Sequence, residues 1–309
     1  MAAISRAQLL KELLPGLNAL FGLEYKRYEE QHKELYEIEN SDRSFEEEVK
    51  LSGFASAPVK TEGAALVYDS AQESYISRFN HETIAMGFSL TEEAVEDNLY
   101  DSLSARYTKA LSRAMAYTKQ VKAAYVLNTA FSGSGVLGGD GKTLCASDHP
   151  LVSGGTNSNL GSAADISETT LEAAVIQING WKDERGLLIV AKPRKLVVPP
   201  NSQFIVTRLL QTELRTSISA VNTFAPNDVN AIKTNGIFTG GYTINNYLTD
   251  TNSYFILTDI PNGLKHFVRV PMKTGMDSDF DTGNARYKAR ERYSFGYSDH
   301  LGVWGSAGT

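Results

Sequence analysis

Residues 91–131 read TEEAVEDNLYDSLSARYTKALSRAMAYTKQVKAAYVLNTAF, a run without Gly or Pro. Just before it, Ser89 followed by Glu92 is a capping-box pattern. Glu92, Glu93, Glu96 and Asp97 then place negative charge where a helix dipole is positive. Val95, Leu99, Leu103, Tyr107, Leu111, Ala114, Thr118, Val121 and Tyr125 recur at steps of three or four, the period of an apolar helix face. Ser132-Gly133-Ser134-Gly135 closes the pattern. The spacing predicts a helix over 89–131, roughly 60 Å long, far beyond the usual about 11–12 residues. It is either kinked or a strut. Its stripe is too rich in Ala and Tyr for a coiled coil.

Upstream, residues 1–45 read as an arm. Leu9, Leu10, Leu13 and Leu14 stop at Pro15, and a second helical pattern runs from Leu17 through Phe21, Tyr25, Tyr28 and His32 to Leu35. This arm packs either on its own domain or on a neighbouring subunit. Residues 46–88 read as two strand-prone arms around the polar tip Pro58–Gly63, a long β-hairpin that needs a partner to lie on.

Downstream, residues 132–167 form a Gly/Ser-rich excursion, long for a loop in a compact domain. A helix is predicted over Glu168–Trp181, strands over Leu187–Ala191 and Lys195–Val198, and a helix over Ser202–Thr216. An extended segment follows over Ile237–Asn245, giving an α/β module. The tail predicts strands over Tyr254–Thr258, Leu264–Val270 and Ala285–Tyr297. In the last of these, Tyr287, Ala289, Tyr293, Phe295 and Tyr297 alternate with Arg286, Lys288, Arg290 and Arg292, and only Glu291 interrupts the apolar face.

The 309 residues are 42% hydrophobic and 21% charged, the profile of a soluble intracellular globular protein. Lys and Arg number 30 against 36 Asp and Glu, a formal charge of −6 that weighs against a dedicated nucleic-acid binder. No apolar run is long enough for a membrane span or a secretion signal. The lone Cys145 excludes an intrachain disulfide.

Every candidate for chemistry fails on spacing. Asp277-Ser278-Asp279-Phe280-Asp281 opens like a calcium loop, but Thr282 and Lys288 stand where Gly and Glu are required. Gly138-Gly139-Asp140-Gly141-Lys142-Thr143 lacks the first Gly and the preceding strand of a phosphate loop. Cys145 and His149 could pair as nucleophile and base, with Asp148 adjacent, but the spacing is common by chance. His32, His81, His266 and His300 show no ligand spacing. Neither a cofactor nor a metal is expected. The cationic row Arg286, Lys288, Arg290 and Arg292 reads as pairing with carboxylates of its own or a neighbouring subunit.

A charged arm, a long hairpin, a very long helix, an α/β module and a strand-rich return resemble the HK97-type viral shell protein. More narrowly, the chain resembles the Mu-like major head subunits of tailed bacteriophages. The resemblance spans essentially the whole chain. It rests on Phe79-Asn80-His81-Glu82-Thr83 through Gly87 to Tyr100, on Gly141–Pro150, and on Leu196-Val197-Val198-Pro199-Pro200. It continues in Tyr247-Leu248-Thr249-Asp250-Thr251 and in the stretch from Asp279 to Lys288.

The resemblance implies an α+β capsid fold and a structural, non-enzymatic subunit. That subunit would self-assemble into pentamers and hexamers of an icosahedral head, built in the host cytoplasm around double-stranded DNA. It implies residues 1–45 as an N-terminal arm and 46–88 as the extended loop. Residues 89–167 would be a peripheral domain with a spine helix, 168–249 an axial domain, and 250–309 the return strands of the peripheral domain. Further partners would be portal and scaffold or decoration proteins, with weak non-specific contact to DNA and no membrane. Tyr25, Tyr28, Lys60, Glu62, Arg286, Lys288, Arg290 and Arg292 are the expected inter-subunit contacts. Lys60 sits where a cross-linking lysine would, but no catalytic Glu or acceptor Asn matches. The alternatives are an encapsulin-like compartment of the same fold, or a hydrolase or metal enzyme using Asp277–Asp281 or Cys145 and His149.

Overall fold

The computed structural model describes residues 6–91, 100–214, 229–278 and 284–309. From the N-terminus the elements are α1 (Arg6–Arg27), β1 (Glu37–Asn40), β2 (Phe45–Leu51), β3 (Glu73–Asn80), β4 (Glu82–Leu90) and α2 (Tyr100–Asn128). They continue as β5 (His149–Pro150), β6 (Thr156–Asn157), α3 (Glu168–Asn179), β7 (Pro193–Val198), α4 (Gln203–Gln211), α5 (Ala231–Thr234) and β8 (Tyr242–Ile244). The chain ends with β9 (Tyr254–Thr258), β10 (Leu264–Ser278), β11 (Ala285–Tyr297) and β12 (Val303–Ser306).

One four-stranded sheet has the order β1-β10-β11-β4, and a second has the order β12-β9-β7-β8. β2 and β3 pair antiparallel as the two arms of the predicted hairpin. The α/β module is present: β7 and β8 are parallel neighbours connected through α4 and α5. β9 and β12 join the same sheet as β7, so the last sixty or so residues supply strands to both sheets. Strand β12 carried no sequence signal.

The alternation in β11 sorts its side chains as predicted. Tyr287, Ala289, Tyr293 and Tyr297 are buried, while Arg286, Lys288 and Arg290 are exposed and Arg292 is half-buried. Two helices cover the apolar face. Leu17 and Phe21 of α1 and Leu111 and Met115 of α2 pack on Tyr287 and Ala289. The arm helix therefore docks on its own domain. Nor does it stop at Pro15: α1 runs through it. Pro15 lies on the solvent side, and the burial of Leu17 and Phe21 offsets the backbone hydrogen bond a proline forfeits.

The long helix starts later than its sequence suggests. β4 extends to Leu90, and Ser89 sits in the ladder opposite Arg286, so Ser89 is a strand residue and not a cap. The acidic stretch 92–99 lies outside the described residues. α2 spans about 44 Å over its 29 residues. Its predicted stripe is half right. Leu111 is buried and Ala114 and Thr118 are half-buried, yet Tyr107, Val121 and Tyr125 are exposed. Ser104, Thr108, Ser112, Ala116, Ala123 and Ala124 are buried instead, because small side chains let a helix lie close against its sheet.

The strand predicted at Leu187–Ala191 is absent. Asp183 N–H donates to the Leu187 carbonyl and Ile189 N–H to that of Trp181, closing a tight return, and Val190 takes φ +57°. A β-branched residue there cannot continue a strand. α3, by contrast, forms as read. Ser167 caps it with Thr170, and Leu171, Ala174 and Ile178 are buried against Leu196, Val198, Ile256 and Trp304. Among the described residues no helix is long and apolar enough to cross a membrane.

Candidate assembly interface

Between β2 and β3 the chain leaves the body. Every residue from Phe54 to Glu73 is exposed, and the segment carries Phe54, Val59, Leu66, Val67 and Tyr68 into solvent, Val59 at 94% and Tyr68 at 91% exposure. Lys60 and Glu62 lie on this segment, both exposed.

The root of the hairpin is clamped. Lys50 Nζ lies 3.0 Å from Asp299 Oδ1 and 3.1 Å from Glu184 Oε1. Burial pulls the Lys50 ammonium down, but Asp299 and Glu184 outweigh it and hold its pKa above the ordinary lysine value. Glu48 accepts from the Ser298 hydroxyl, and the buried Lys265 ammonium pairs with Glu48 at 3.3 Å and with Glu39. Arg185 holds Asp69 at 3.2 Å and the Ser70 carbonyl at 2.8 Å. The loop 132–167 meets β3 at Gly139, where an added Cβ would stand 2.6 Å from the Ile76 carbonyl oxygen. Sequence reasoning missed this clamp, because its members are separated by up to some 250 positions and no spacing pattern links them.

Beside the root lies a groove of about 780 Å³ lined by Val49, Leu51, Leu187, Leu188, Ile189 and Ile260, with Lys50, Glu184 and Asp299 at its polar end. Along α2 the exposed Tyr117, Val121 and Tyr125 border a second groove, of about 600 Å³. The outer face of the first sheet is cationic. Lys288 and Arg290 stand opposite Gly87 and Ala85 of β4, small residues that leave the charges uncovered; the half-buried Arg292 lies opposite Thr83, and Lys273 lies across from Arg290 on β10.

The two arm tyrosines differ. Tyr28 is half-buried beside Arg113 and Tyr117, at the edge of a shallow groove. Tyr25 is engaged within its own chain: its hydroxyl accepts from Lys119 Nζ at 2.9 Å and lies 3.5 Å from Glu291 Oε2.

The enzyme-like candidates come apart. Cys145 is 2% exposed, and burial pushes its thiol far above the ordinary range, an environment that suppresses a nucleophilic thiolate. His149 Nδ1 bonds Asp140 Oδ2 at 2.6 Å, so Asp140 orients it; Asp148 pairs with Lys142. Residues 138–143 close a tight turn, Gly141 N–H donating to the Gly138 carbonyl, with no helix behind it to bind phosphate. Asp277 is exposed and opposite Arg286 in the ladder; Asp279, Phe280 and Asp281 lie outside the described residues.

Two sheets, a helix laid along the first of them, and a clamped hairpin projecting from its root make up the HK97-like capsid fold, as the sequence led one to expect. Among solved structures the chain is similar to the capsid of cyanophage P-SCSP1u, at TM-score 0.57 and 11% identity over 90% of this chain and 87% of that one. It is also similar to the capsid of an empty GTA particle, at TM-score 0.56 and 14% identity over 90% of each chain. A virus-like particle from Pyrococcus furiosus matches at TM-score 0.50 and 11% identity, over 96% of this chain and 99% of that one. No protein-family model and no curated protein sequence matches.

Proposed function

We propose that this chain is the repeated structural subunit of a virus head, a major capsid protein that assembles with copies of itself into a closed shell around double-stranded DNA. The observation that carries the reading is the exposed apolar segment 54–73, whose root is ionically clamped to the body. A lone subunit gains nothing from holding Val59, Val67 and Tyr68 in water; a neighbouring copy that covers them does. Many modest contacts repeated around closed symmetry then hold what no single contact would.

The fold shared with phage and GTA capsids supports the reading, and the resemblance of its segments to Mu-like head subunits favours a phage head in particular. Lys60 and Glu62 at the loop tip, Tyr28 at the arm, and Arg286, Lys288, Arg290 and Arg292 on the open sheet face are the contacts we assign to neighbouring subunits. Tyr25 acts from inside, by holding the arm helix in place. The division into arm 1–45, extended loop 46–88, peripheral domain 89–167 with 250–309, and axial domain 168–249 belongs to the same proposal. So do the absence of catalysis, the portal, scaffold or decoration partners, and assembly in the host cytoplasm.

Negative-stain microscopy of the expressed chain, alone and with the other head proteins, tests it. Closed shells, pentamers or hexamers are expected. A chain that stays monomeric under both conditions overturns the proposal, and shells that enclose protein in place of DNA favour the encapsulin-like compartment.

A further inference from the structure

Asp140, His149 and His300 meet behind the hairpin root, each bringing a donor atom within 4.8 Å of the others. His149 is 0% exposed and His300 7%. Their rings stack with centroids 3.7 Å apart and planes 6° from parallel. His149 Nδ1 bonds Asp140 Oδ2 at 2.6 Å. A carboxylate only accepts, so Nδ1 carries the hydrogen, a tautomer that leaves a lone pair at Nε2 for a ligand. Among the described residues neither His149 Nε2 nor His300 Nε2 finds a hydrogen-bond partner. Two buried ring nitrogens in one stacked pair, neither with a partner, are costly unless something cationic or proton-donating satisfies them.

We propose that Asp140, His149 and His300 form a structural binding site for one divalent transition-metal ion of the zinc type. The donor set decides the class. Imidazole nitrogens suit Zn²⁺, Co²⁺ or Ni²⁺, whereas Ca²⁺ and Mg²⁺ require a cage of oxygens. The Asp140–His149 bond is the carboxylate–imidazole pairing that orients a ligating histidine and raises its basicity. Two rings 3.7 Å apart and 6° from parallel cannot both hold one ion in their planes, so shared ligation tilts one imidazole out of the stack. Asp140, 8% exposed at its side chain, lies at the accessible edge and either completes the donor set directly or holds His149 toward the ion.

The placement gives the ion a task. Asp140 and His149 belong to the segment 132–167, which meets β3 at Gly139. His300 belongs to the turn after β11, next to Asp299, which grips Lys50 of the hairpin. One ion would therefore staple the loop to the chain's C-terminal turn at the point where the hairpin is anchored, closing a span of about 150 residues that no disulfide secures. The inference stands whether or not the chain forms shells.

The test uses the full-length chain, stripped with EDTA, then exposed to ZnCl₂, CoCl₂ or CaCl₂ and passed through gel filtration. Elemental analysis should find one equivalent of zinc or cobalt per chain and no calcium. Zinc should raise the thermal midpoint by about 5 °C. His300→Gln, which leaves the Asp140–His149 bond intact, should lose both effects, and His81→Gln, outside the site, should keep them. If His300→Gln does not fold, the visible absorption of the Co²⁺-loaded parent chain decides, through the ligand-field bands of a nitrogen-ligated ion. No retained metal, a Co²⁺ spectrum identical to that of the aqueous ion, or equal retention by His300→Gln overturns the proposal.

Discussion

Glu291 places its carboxylate 2.6 Å from the Lys119 ammonium, beneath the sheet and against the long helix, with the Glu291 side chain only 1% exposed. Glu291 is the one residue that breaks the apolar alternation of β11, and Lys119 on α2 answers it. Burial raises the Glu291 pKa while Lys119 opposes the shift, and the Lys119 charge also lies over the Tyr25 and Tyr293 rings. The pair fixes how the helix sits on the sheet more than it adds net stability. Lys119→Met and Glu291→Leu should each cost about 3–5 kcal/mol, since each strands a buried charge, whereas the double variant should recover most of the loss. Urea denaturation of the unassembled subunit measures the cycle; additive losses would show that the two residues act separately.

A second buried polar pair predicts sensitivity to acid. His32 accepts a bond from Gln120 Nε2 at 2.9 Å and meets His266 edge-on at 5.2 Å, and His266 stacks on Phe295 at 4.2 Å. Burial first, then Lys119, lowers His32 to about 4; burial, then His32 and Lys119, lowers His266 to about 3. Glu30 pulls His32 the other way, and Lys33 adds to the lowering at both. The unfolded chain therefore binds more protons than the native one below pH ~6.5. The stability contribution is complete above that pH and drains away as pH falls toward about 4 and then about 3, at up to about 1.4 kcal/mol per unit for each histidine. Other groups titrate in the same window, so the readout is a difference: His266→Phe, which keeps the stack on Phe295, should flatten the slope between pH 6.5 and 4. Parallel slopes in parent and variant would remove His266 from the account.

What the sequence revealed follows from the range over which each signal acts. Strand alternation in β11 and the apolar face of α3, with Leu171, Ala174 and Ile178 inward, are local, and both are realised as read. The stripe on α2 misled because small Ser, Thr and Ala side chains do not register as core, although close approach to a sheet selects them. Ser89 misled because a cap pattern and a strand end look alike until the pairing partner, Arg286, is known. The Lys50–Glu184–Asp299 clamp and the Asp140–His149–His300 cluster join residues far apart in the chain, so no spacing rule reaches them.

Val190 holds φ +57° and is 58% exposed. A β-branched residue in the left-handed region costs about 1–2 kcal/mol, and little packing offsets it here. Val190→Asn, which tolerates that backbone, should raise stability by about 1 kcal/mol and leave assembly unchanged. Differential scanning calorimetry of the subunit decides; a lower midpoint would mean that the exposed valine packs on something in the free chain.

The cationic sheet face should matter between subunits and not within one. Lys288→Glu with Arg290→Glu places charge reversals on exposed positions opposite Gly87 and Ala85. The thermal midpoint of the free subunit should move little, as exposed charges contribute at most about 1 kcal/mol. Particle yield should fall, and more steeply at low salt, where repulsion is less screened. Normal yields at low salt would free these residues from the interface.

Deleting Pro58–Gly63 separates folding from assembly most directly. Each of these residues is exposed, and the root contacts of Lys50, Glu48 and Arg185 lie outside the deleted stretch. Shortening a solvent-exposed loop changes the closure entropy by well under about 1 kcal/mol, so the subunit should fold with its thermal midpoint nearly unchanged. The same deletion removes Val59, Lys60 and Glu62 from whatever copy they reach, and sedimentation should show free subunits or small oligomers where the parent chain forms particles. If the shortened chain unfolds, the tip is core structure of its own subunit; if it assembles normally, the contact that closes the shell lies elsewhere, with the exposed Tyr117, Val121 and Tyr125 ridge of α2 the next surface to alter.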